Sequence, residues 1–427
     1  MTRAVIVGRG LRCEHGAAMA DHRVVVTGVG LASPIGNDLA TVREALVSRR
    51  HGLSRVPAWE RYEGIESRLG GLVRDLDVGF VSRKHLRAMG RVAKLAAAAT
   101  RDAVAMAGLS EDLLRSGAVS LFYGSTDGST EASEQYYRRL YTTDSFHGLL
   151  ASSYLKFMSH TCAANLASIF GITGRVVPIC SACTSASQSI GEAYWSVRAG
   201  RETVAIAGGA EESHFTVAGV FDLMLATSQR YNDAPDRTPR PFDRDRDGLI
   251  ISEGAGTLVL ESFEHAKWRG APILAEIVGF GSNCDGAHLT TPSPVGMRRA
   301  IERALEDARL GPGDIDYVNA HATGTEVGDI AESQATYEVF GDAVPVSSTK
   351  SYTGHTLGGC GAIESIFCIL MLEHGFLPPT RTLEHVDARC APLRYLTGEV
   401  RRARPQRIMN NNFAFGGINT SLVLAAV

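Results

Sequence analysis

A faint internal repeat is the sequence feature that most limits what this chain can fold into. The helix ending AVAMAGLS (103–110) resembles the helix ending ALEDARLG (304–311), and each precedes a strand that opens into a Gly/Thr turn. The segment EGAGTLVLE (253–261) likewise echoes GGINTSLVLA (416–425). Self-similarity of this kind indicates a duplicated architecture, although chance likeness between two α/β segments would give the same pattern. We therefore predict two related halves that meet at about residue 270.

Short β-branched runs alternate with Ala-rich stretches, which predicts the α/β class. Strands are predicted over Val24–Thr27, Val119–Tyr123, Val204–Ala207, Thr257–Leu260, Tyr317–Asn319 and Ser421–Leu424. Helices are predicted over Arg91–Ala107, Thr184–Ala199, Met297–Arg309 and Ile363–His374. Because 427 residues exceed the usual size of a single core, we divide the chain into an N-terminal extension (1–22), a first half (23–270) and a second half (271–427). Met19 is the expected true start of the protein.

Charge and hydropathy exclude several classes of protein. A net charge of −3 argues against a nucleic-acid binder. No apolar run approaches the about 20 residues that span a bilayer, and the N-terminal segment lacks the apolar core of a signal peptide. We therefore expect a cytoplasmic protein without a membrane partner, whose eight cysteines are reduced.

One cysteine stands where chemistry is expected. In RVVPICSACTSASQSIGEAYWSV (175–197) a short strand ends near Cys180 and an amphipathic helix follows, so Cys183 falls on a tight turn at a helix N-terminus. The helix dipole and free N–H groups there favour the thiolate, as in a nucleophile elbow with sulfur in place of oxygen. A structural cysteine, a Cys180-x-x-Cys183 redox pair or half of a zinc site are the alternatives.

Two histidines lie in loops of small residues. His321 follows the predicted strand in IDYVNAHATGT, at a strand end where α/β active sites collect. His355 lies in the Gly-rich turn of STKSYTGHTLGGCGAIES, five residues after Lys350. A cysteine with two histidines suits acyl transfer followed by enolate formation, because the thiolate can carry an acyl group while imidazoles stabilise an oxyanion.

Two motifs resemble ligand sites but fail in detail. DRDRDG (243–248) starts like a calcium loop, yet Gly254 stands where the loop requires Glu. VVVTGVGLAS (24–33) resembles a dinucleotide-binding turn, but Ser33 replaces the third glycine and Pro34 follows. We therefore expect neither a metal nor a bound cofactor.

Together these segments resemble the elongating β-ketoacyl-[acyl carrier protein] synthases of the thiolase superfamily. The resemblance runs from about Val24 to the C-terminus and rests on an ordered set of motifs: VVVTGVGLASPIG, CSACTSA, RPFDRDRDGLIISEGAGTLVLE, VNAHATGT, STKSYTGHTLGGCGAIES and NNFAFGGIN. It implies the five-layered αβαβα thiolase fold, with two similar halves and a dimer. It also implies an acyltransferase that extends an acyl chain by decarboxylative Claisen condensation with malonyl-carrier protein.

The resemblance also assigns catalytic roles. Cys183 matches the nucleophile that accepts the acyl group. His321 and His355 match the pair that promotes decarboxylation and stabilises the enolate. Lys350 matches the lysine that organises the first histidine, with Asp329 as its expected ionic partner.

Further matches concern the oxyanion and the acyl pocket. Glu364 matches a buried structural carboxylate. The backbone N–H groups of Cys183 and Phe415 would form an oxyanion hole, and Phe415 would gate the acyl pocket. Gly416 and Gly417, which follow the gate, are expected to contact substrate.

The remaining matches concern the carrier protein. Thr323 and Thr325 match a pair that hydrogen-bonds the phosphopantetheine arm, on which the substrates are carried. Arg83, Lys84 and Arg87 lie where the family presents basic residues to the acidic acyl carrier protein. A solvated helix face is the alternative interpretation of these three residues.

The cysteine and the two histidines separate the relatives of this family. Initiating synthases have Asn at the position of His355, biosynthetic thiolases use a second catalytic cysteine, and chain-length-factor subunits lack the nucleophile. The presence of Cys183 therefore argues for a working synthase.

Departures from the family pattern favour a specialised enzyme. Ala322 replaces the Gly of His-Gly-Thr, Ala414 replaces the first Gly of the gate, and Ile418 replaces a Thr. Together with the polar pair at 180–181, these departures favour a type II polyketide ketosynthase subunit, for example one that makes polyenes. Such a subunit would form a homodimer or pair with a chain-length factor. The alternatives are a housekeeping fatty-acid synthase, a non-catalytic carrier-protein-binding scaffold, and a thioesterase-like acyltransferase.

Overall fold

The computed structural model describes residues 21–427. The extension predicted over 1–22 therefore lies outside the described residues, apart from its last two. Of these two, Asp21 accepts hydrogen bonds from the guanidinium groups of Arg198 and Arg309.

The strands and helices alternate along the chain, as the sequence predicts. The strands are β1 Val24–Ala32, β2 Leu53–Arg55, β3 Leu69–Gly71, β4 Val119–Gly124, β5 Val176–Ile179, β6 Val204–Glu211, β7 Gly254–Ser262, β8 Ala275–Cys284, β9 Tyr317–Asn319, β10 Pro345–Ser347, β11 Phe376–Leu377, β12 Arg394–Tyr395, β13 Arg401–Arg402, β14 Arg407–Phe413 and β15 Ile418–Ala425. The helices are α1 Leu39–Val47, α2 Arg83–Leu86, α3 Arg91–Ala107, α4 Glu111–Arg115, α5 Thr130–Thr143, α6 Ala151–Phe157, α7 Thr161–Phe170, α8 Ser185–Arg198, α9 Phe215–Leu223, α10 Phe263–Trp268, α11 Pro294–Ala308, α12 Glu326–Phe340, α13 Lys350–Thr353 and α14 Cys360–His374.

The large sheet repeats one strand order twice. The first half runs β5-β4-β6-β7-β1 and the second runs β10-β9-β14-β15-β8, with β12 beyond β10. In each half the first three strands are parallel and the last two pairings are antiparallel. The halves join where β1 pairs with β8. The duplication predicted from the echoed segments is therefore confirmed, since β7 and β15 hold equivalent places.

Glycines repeat the duplication at atomic detail. A Cβ on Gly30 of β1 would lie 2.2 Å from the carbonyl oxygen of Ala99 on α3, and a Cβ on Gly281 of β8 would lie 2.1 Å from that of Ala300 on α11. Only glycine permits so close an approach of helix to strand. The glycines of the VVVTGVGLAS segment thus serve helix packing within a strand, not a phosphate-binding turn.

Helices stack with the sheet halves in five layers. α3 covers β1 and β7 on one outer face, and α11 covers β8 and β15 on the other. α8 and α14 lie between, and each contacts strands of both halves. The predicted αβαβα arrangement is thereby confirmed.

The central layer is apolar because sheets cover it on both sides. Among the described residues, the segment Leu357–His374 is long and apolar enough to cross a membrane by length and composition, but 89% of it is buried. Burial of this kind is typical of the core helix of an α/β protein.

Candidate active site

The structure places Cys183 on a strained turn between β5 and α8. It belongs to a single 3₁₀ turn, Ala182–Thr184, and the preceding Ala182 has φ +49, in the left-handed region that favours glycine. The Cys183 side chain is nonetheless buried, with 7% of its surface exposed. The turn therefore presents the thiol to the interior of a pocket and not to open solvent.

The three residues predicted to act together meet at this thiol. Cys183 Sγ lies 2.9 Å from His355 Nε2, within hydrogen-bond distance. The rings of His321 and His355 stand edge to face with their centroids 5.1 Å apart, and a side-chain nitrogen of each lies within 4.8 Å of the sulfur. A tetrahedral zinc would hold sulfur and nitrogen about 3.5 Å apart, so the shorter contact favours a hydrogen bond. Cys180 is not part of the group, because its thiol donates to the Thr126 carbonyl at 3.1 Å.

Burial sets the protonation state of the site. Desolvation raises the pKa of the Cys183 thiol to about 12, against the opposing effects of the Lys350 charge and of the backbone N–H groups of Cys183 and Phe415. Desolvation, with Lys350 as the second cause, lowers the pKa of His321 and His355 well below the ordinary value. The resting site thus holds a neutral thiol and two neutral imidazoles. Burial therefore opposes the helix dipole that the sequence predicts will favour the thiolate.

Lys350 is fully buried and pairs with Glu364, not with Asp329 as expected. Its Nζ donates to one carboxylate oxygen of Glu364, and Asn412 donates to the other at 2.7 Å. Burial opposes the lysine charge, but the carboxylate outweighs it and holds the pKa of Lys350 above its ordinary value. Glu364, expected only as a structural carboxylate, is therefore the ionic partner that keeps this cation charged.

Asp329 instead supports the loop that carries His321. Its carboxylate accepts the backbone N–H groups of Phe242 at 2.8 Å and Gly324 at 3.1 Å, and Arg246 lies 3.8 Å away. The residue sits in the first turn of α12, where a carboxylate is satisfied by nearby N–H donors. The Asp329 carboxylate therefore holds backbone N–H groups in place, and the carboxylate that pairs with Lys350 comes from α14.

Two buried residues of the site carried no sequence signal. Glu332 accepts the backbone N–H groups of His321 at 2.8 Å and Ala322 at 2.6 Å, and burial raises its pKa to about 8. Cys360 donates to the Cys183 carbonyl at 3.2 Å. Glu332 lies eleven residues after His321 in the sequence. The two residues meet because the chain turns between β9 and α12, which the sequence alone does not show.

The predicted gate follows β14. Phe415 is partly exposed and stacks on Phe221, with ring centroids 5.5 Å apart. Gly416 and Gly417 adopt φ +85 and +72, where glycine is favoured. Ala414 is not among the residues with positive φ, so alanine at this position introduces no backbone strain.

A cavity of about 370 Å³ opens onto Cys183. Thr323 and Thr325 line it with their hydroxyl oxygens 3.0 Å apart, and apolar side chains such as Met224 and Leu289 form much of its wall. A pair of hydroxyls in an apolar passage suits a ligand with a few amide groups on a thin chain. Gly417 lies on the wall as well, but Gly416 is not among the lining residues.

The expected docking residues are solvent-exposed. Arg83 and Lys84 lie on the short helix α2, and Arg87 follows it. Within residues 21–427, none of the three forms an ion pair. Their charges are therefore available to a partner, although a solvated face has the same appearance.

Comparisons with known proteins agree with this geometry. Residues 21–266 match the family "Beta-ketoacyl synthase, N-terminal domain", and residues 274–384 match "Beta-ketoacyl synthase, C-terminal domain". The curated 3-oxoacyl-[acyl-carrier-protein] synthase 1 of Escherichia coli (strain K12) is 37% identical over 412 residues, which cover 94% of this chain and 98% of the relative.

Solved structures extend the likeness. A β-ketoacyl synthase from Burkholderia phymatum STM815 is 46% identical with a TM-score of 0.92, and the match covers 95% of this chain and 100% of that one. The structure titled "The ishigamide ketosynthase/chain length factor" is 33% identical with a TM-score of 0.90, covering 96% of this chain and 100% of that one. The fold, the two family matches and these relatives show that the chain belongs to the β-ketoacyl synthase family of acyltransferases.

Proposed function

We propose that this chain joins an acyl group held on Cys183 to a malonyl unit carried by acyl carrier protein, with loss of carbon dioxide. The observation that carries the proposal is the convergence of one buried thiol and two neutral imidazoles at the end of a single cavity. Cys183 supplies the nucleophile, and the imidazoles supply donors for an enolate.

Acyl transfer comes first. The Cys183 sulfur attacks the thioester carbonyl of acyl-carrier protein while its proton passes to His355 Nε2, 2.9 Å away. The backbone N–H groups of Cys183 and Phe415 lower the pKa of the thiol and would stabilise the tetrahedral oxyanion. The carrier-protein thiolate leaves and takes up the proton, so the imidazole is neutral again.

Condensation follows on the same atoms. Malonyl-carrier protein loses carbon dioxide, and its thioester oxygen becomes an enolate that His321 and His355 stabilise as hydrogen-bond donors. For this step the neutral His355 carries its proton on Nε2, a tautomer open to it once the acylated Cys183 no longer donates to that nitrogen. The enolate carbon attacks the acyl carbonyl on Cys183, and the carbon–sulfur bond breaks. The sulfur leaves as a thiolate and takes up a proton from water, and the β-ketoacyl product stays on the carrier protein. Thr323 and Thr325 would bind the phosphopantetheine arm through their paired hydroxyls. The charge of Lys350 would add to burial in keeping both imidazoles neutral.

The finer assignment is the ketosynthase subunit of a type II polyketide system, as a homodimer or paired with a chain-length factor. Likeness to the ishigamide ketosynthase/chain length factor supports it, whereas likeness to the Escherichia coli synthase supports housekeeping fatty-acid elongation as the alternative. Purified chain that elongates saturated acyl-carrier proteins unaided would favour the fatty-acid role. Elongation that requires a co-expressed partner subunit would favour the polyketide role.

Intact mass spectrometry of the protein, first with acyl-carrier protein and then with malonyl-carrier protein, tests the mechanism. We expect one acyl adduct on Cys183 and then a product two carbons longer. Cys183→Ala should give no adduct, and His321→Ala should form the adduct but fail to decarboxylate malonyl groups. His355→Ala should fail to decarboxylate as well and should also form the adduct slowly, because it lacks the group that accepts the thiol proton. Elongation retained in Cys183→Ala would exclude the mechanism. Absence of any adduct would favour a non-catalytic scaffold. Release of free acid without chain growth would favour a thioesterase.

Docking of acyl carrier protein is tested separately by charge reversal. Replacing Arg83, Lys84 and Arg87 with Glu should raise the KM for malonyl-carrier protein while kcat stays near the wild-type value, because exposed charges govern association. Arg299→Glu, an exposed arginine of α11 without an ion pair in the described chain, is the matched control. Equal KM values for the two variants would assign the three residues to a solvated face.

A further inference from the structure

A second cavity, of about 550 Å³, shares no lining residue with the catalytic pocket. It lies between the end of α1, the loop at 236–240 and the segment 381–384. Four of its lining residues are arginines: Arg49, Arg237, Arg240 and Arg381. A concave surface with this many guanidinium groups is a candidate site for an anion.

Arg381 is the unusual member. Its guanidinium donates to the carbonyls of Ser351 at 3.0 Å, Thr238 at 3.3 Å and Asp236. In the part of the chain that the structure describes, no carboxylate oxygen lies within 4.0 Å of it. Desolvation lowers the pKa of Arg381 to about 10, although the negative charge of Asp236, which also lines the cavity, acts to raise it. The burial of this cation is therefore only partly compensated.

Arg49 and Arg240 each have one exposed carboxylate partner that can move away. Arg49 pairs with Glu399 at 2.9 Å, and the Glu399 side chain is 88% exposed. Arg240 is held from behind by the buried Asp243, and its second partner, Glu384, is 63% exposed. A solvent-accessible pair such as Arg49–Glu399 contributes about 0–1 kcal/mol, so an incoming dianion can displace Glu399.

A buried hydroxyl next to this cluster also lacks a partner. Tyr352 is fully buried, and its hydroxyl makes no hydrogen bond to any residue in 21–427. The charges of Arg381 and Arg49 are near enough to act on it. A buried polar group without a partner is destabilising, so one region of the structure holds both an unpaired hydroxyl and a cation whose charge is only partly compensated.

We propose that this cavity binds the phosphoryl group of a small molecule, held by Arg381 and Arg49. The planar guanidinium fork matches phosphate oxygens in a two-bond contact. A phosphoryl dianion would supply the counter-charge that Asp236 gives Arg381 only in part, and the exposed Glu399 would turn to solvent.

Ser351 connects the arginine-lined cavity to Lys350. Arg381 donates both its backbone N–H, to Ser351 Oγ, and its Nε–H, to the Ser351 carbonyl, each at 3.0 Å. Ser351 follows Lys350 on α13. An anion fixed on Arg381 should therefore slow hydrogen exchange in α13 as well as raise the thermal midpoint.

Isothermal titration of the full-length protein with pyrophosphate at constant ionic strength tests the proposal. We expect saturable binding at one site per chain, weakened at least about tenfold in Arg381→Met, since a charge-assisted contact is lost. Arg49→Gln should weaken binding in the same way and serves as the second variant if the first does not fold. Arg50→Met, a neighbouring exposed arginine that does not line the cavity, is the matched control.

Inorganic phosphate, sulfate and citrate distinguish the ligand chemistry. Binding of phosphate and pyrophosphate, with sulfate and citrate weaker, supports the assignment. Citrate bound more tightly than pyrophosphate would overturn it in favour of a carboxylate site. Unchanged pyrophosphate affinity in both Arg381→Met and Arg49→Gln would overturn it too, as would no saturation up to about 10 mM. No condensation assay enters the test, so its outcome is independent of the proposed function.

Discussion

Removing the carboxylate of Glu364 should expose how strongly the site depends on one buried ion pair. In Glu364→Gln the amide can still accept from Asn412, but Lys350 keeps a buried ammonium without a counter-ion. The side chains of Lys350 and Glu364 are only 1% and 3% exposed, so water cannot take over. Breaking a buried pair in this way costs about 3–5 kcal/mol.

The lysine sets an upper limit on this loss. It can shed its proton, and deprotonating a lysine whose ordinary pKa is 10.5 costs about 5 kcal/mol at about pH 7. A lysine whose folded-state pKa is depressed regains stability as pH rises toward the unfolded value. The loss in Glu364→Gln should therefore shrink by about 2–3 kcal/mol between about pH 7 and about pH 9.

Urea unfolding of wild type, Glu364→Gln, Lys350→Met and the double variant at the two pH values measures these terms. We expect the double variant to be more stable than Glu364→Gln alone, since it contains no unpaired charge, although it should be catalytically impaired. A loss below about 1 kcal/mol in Glu364→Gln that does not change with pH would refute the argument. Losses that simply add in the double variant would show that the two groups do not interact.

Three further outcomes follow from the structure. Alkylation of Cys183 by iodoacetamide should accelerate about tenfold per pH unit between about pH 7 and about pH 9. The reason is that the thiolate reacts, and a thiol with a pKa of about 12 is still mostly protonated in this range. A rate that reaches a plateau below about pH 8 would contradict this. Lys350→Met should raise the pKa of both buried imidazoles and move the acid limb of the kcat/KM profile to higher pH, and an unmoved limb would remove the lysine from this role. Gly30→Ala and Gly281→Ala should each lower the thermal midpoint, since the new Cβ would lie 2.2 and 2.1 Å from a helix carbonyl, whereas Gly313→Ala, with open space around it, should not.

Much of the fold was predictable because its signals are local. α3 and β9 have the bounds that the sequence predicts, and the other predicted strands and helices match observed elements whose bounds differ by a few residues. The positions of the cysteine and the two histidines also followed from local pattern, since each lies in a small-residue turn at the end of a strand or the start of a helix. Their meeting within one cavity came from the family resemblance and not from those turns, because no local signal states which strand ends adjoin.

The partner of Lys350 could not be predicted for a physical reason. Asp329 and Glu364 are both carboxylates on helices near the site, and the choice depends on which side chain turns toward the lysine. Residues around Glu364 on α14 are buried on every side, so no apolar stripe marks an inward face and periodicity cannot orient the helix. Asp329 turns toward backbone N–H groups that are brought together only once the loop from His321 has folded.

The same limit applies to the Cys183 thiol. The sequence reveals a helix N-terminus, which lowers a cysteine pKa, but not the burial that raises it. The pKa values at this site therefore depend on packing between the two halves. A single stretch of sequence shows the helix N-terminus that lowers the thiol pKa, but it does not show the burial that raises it.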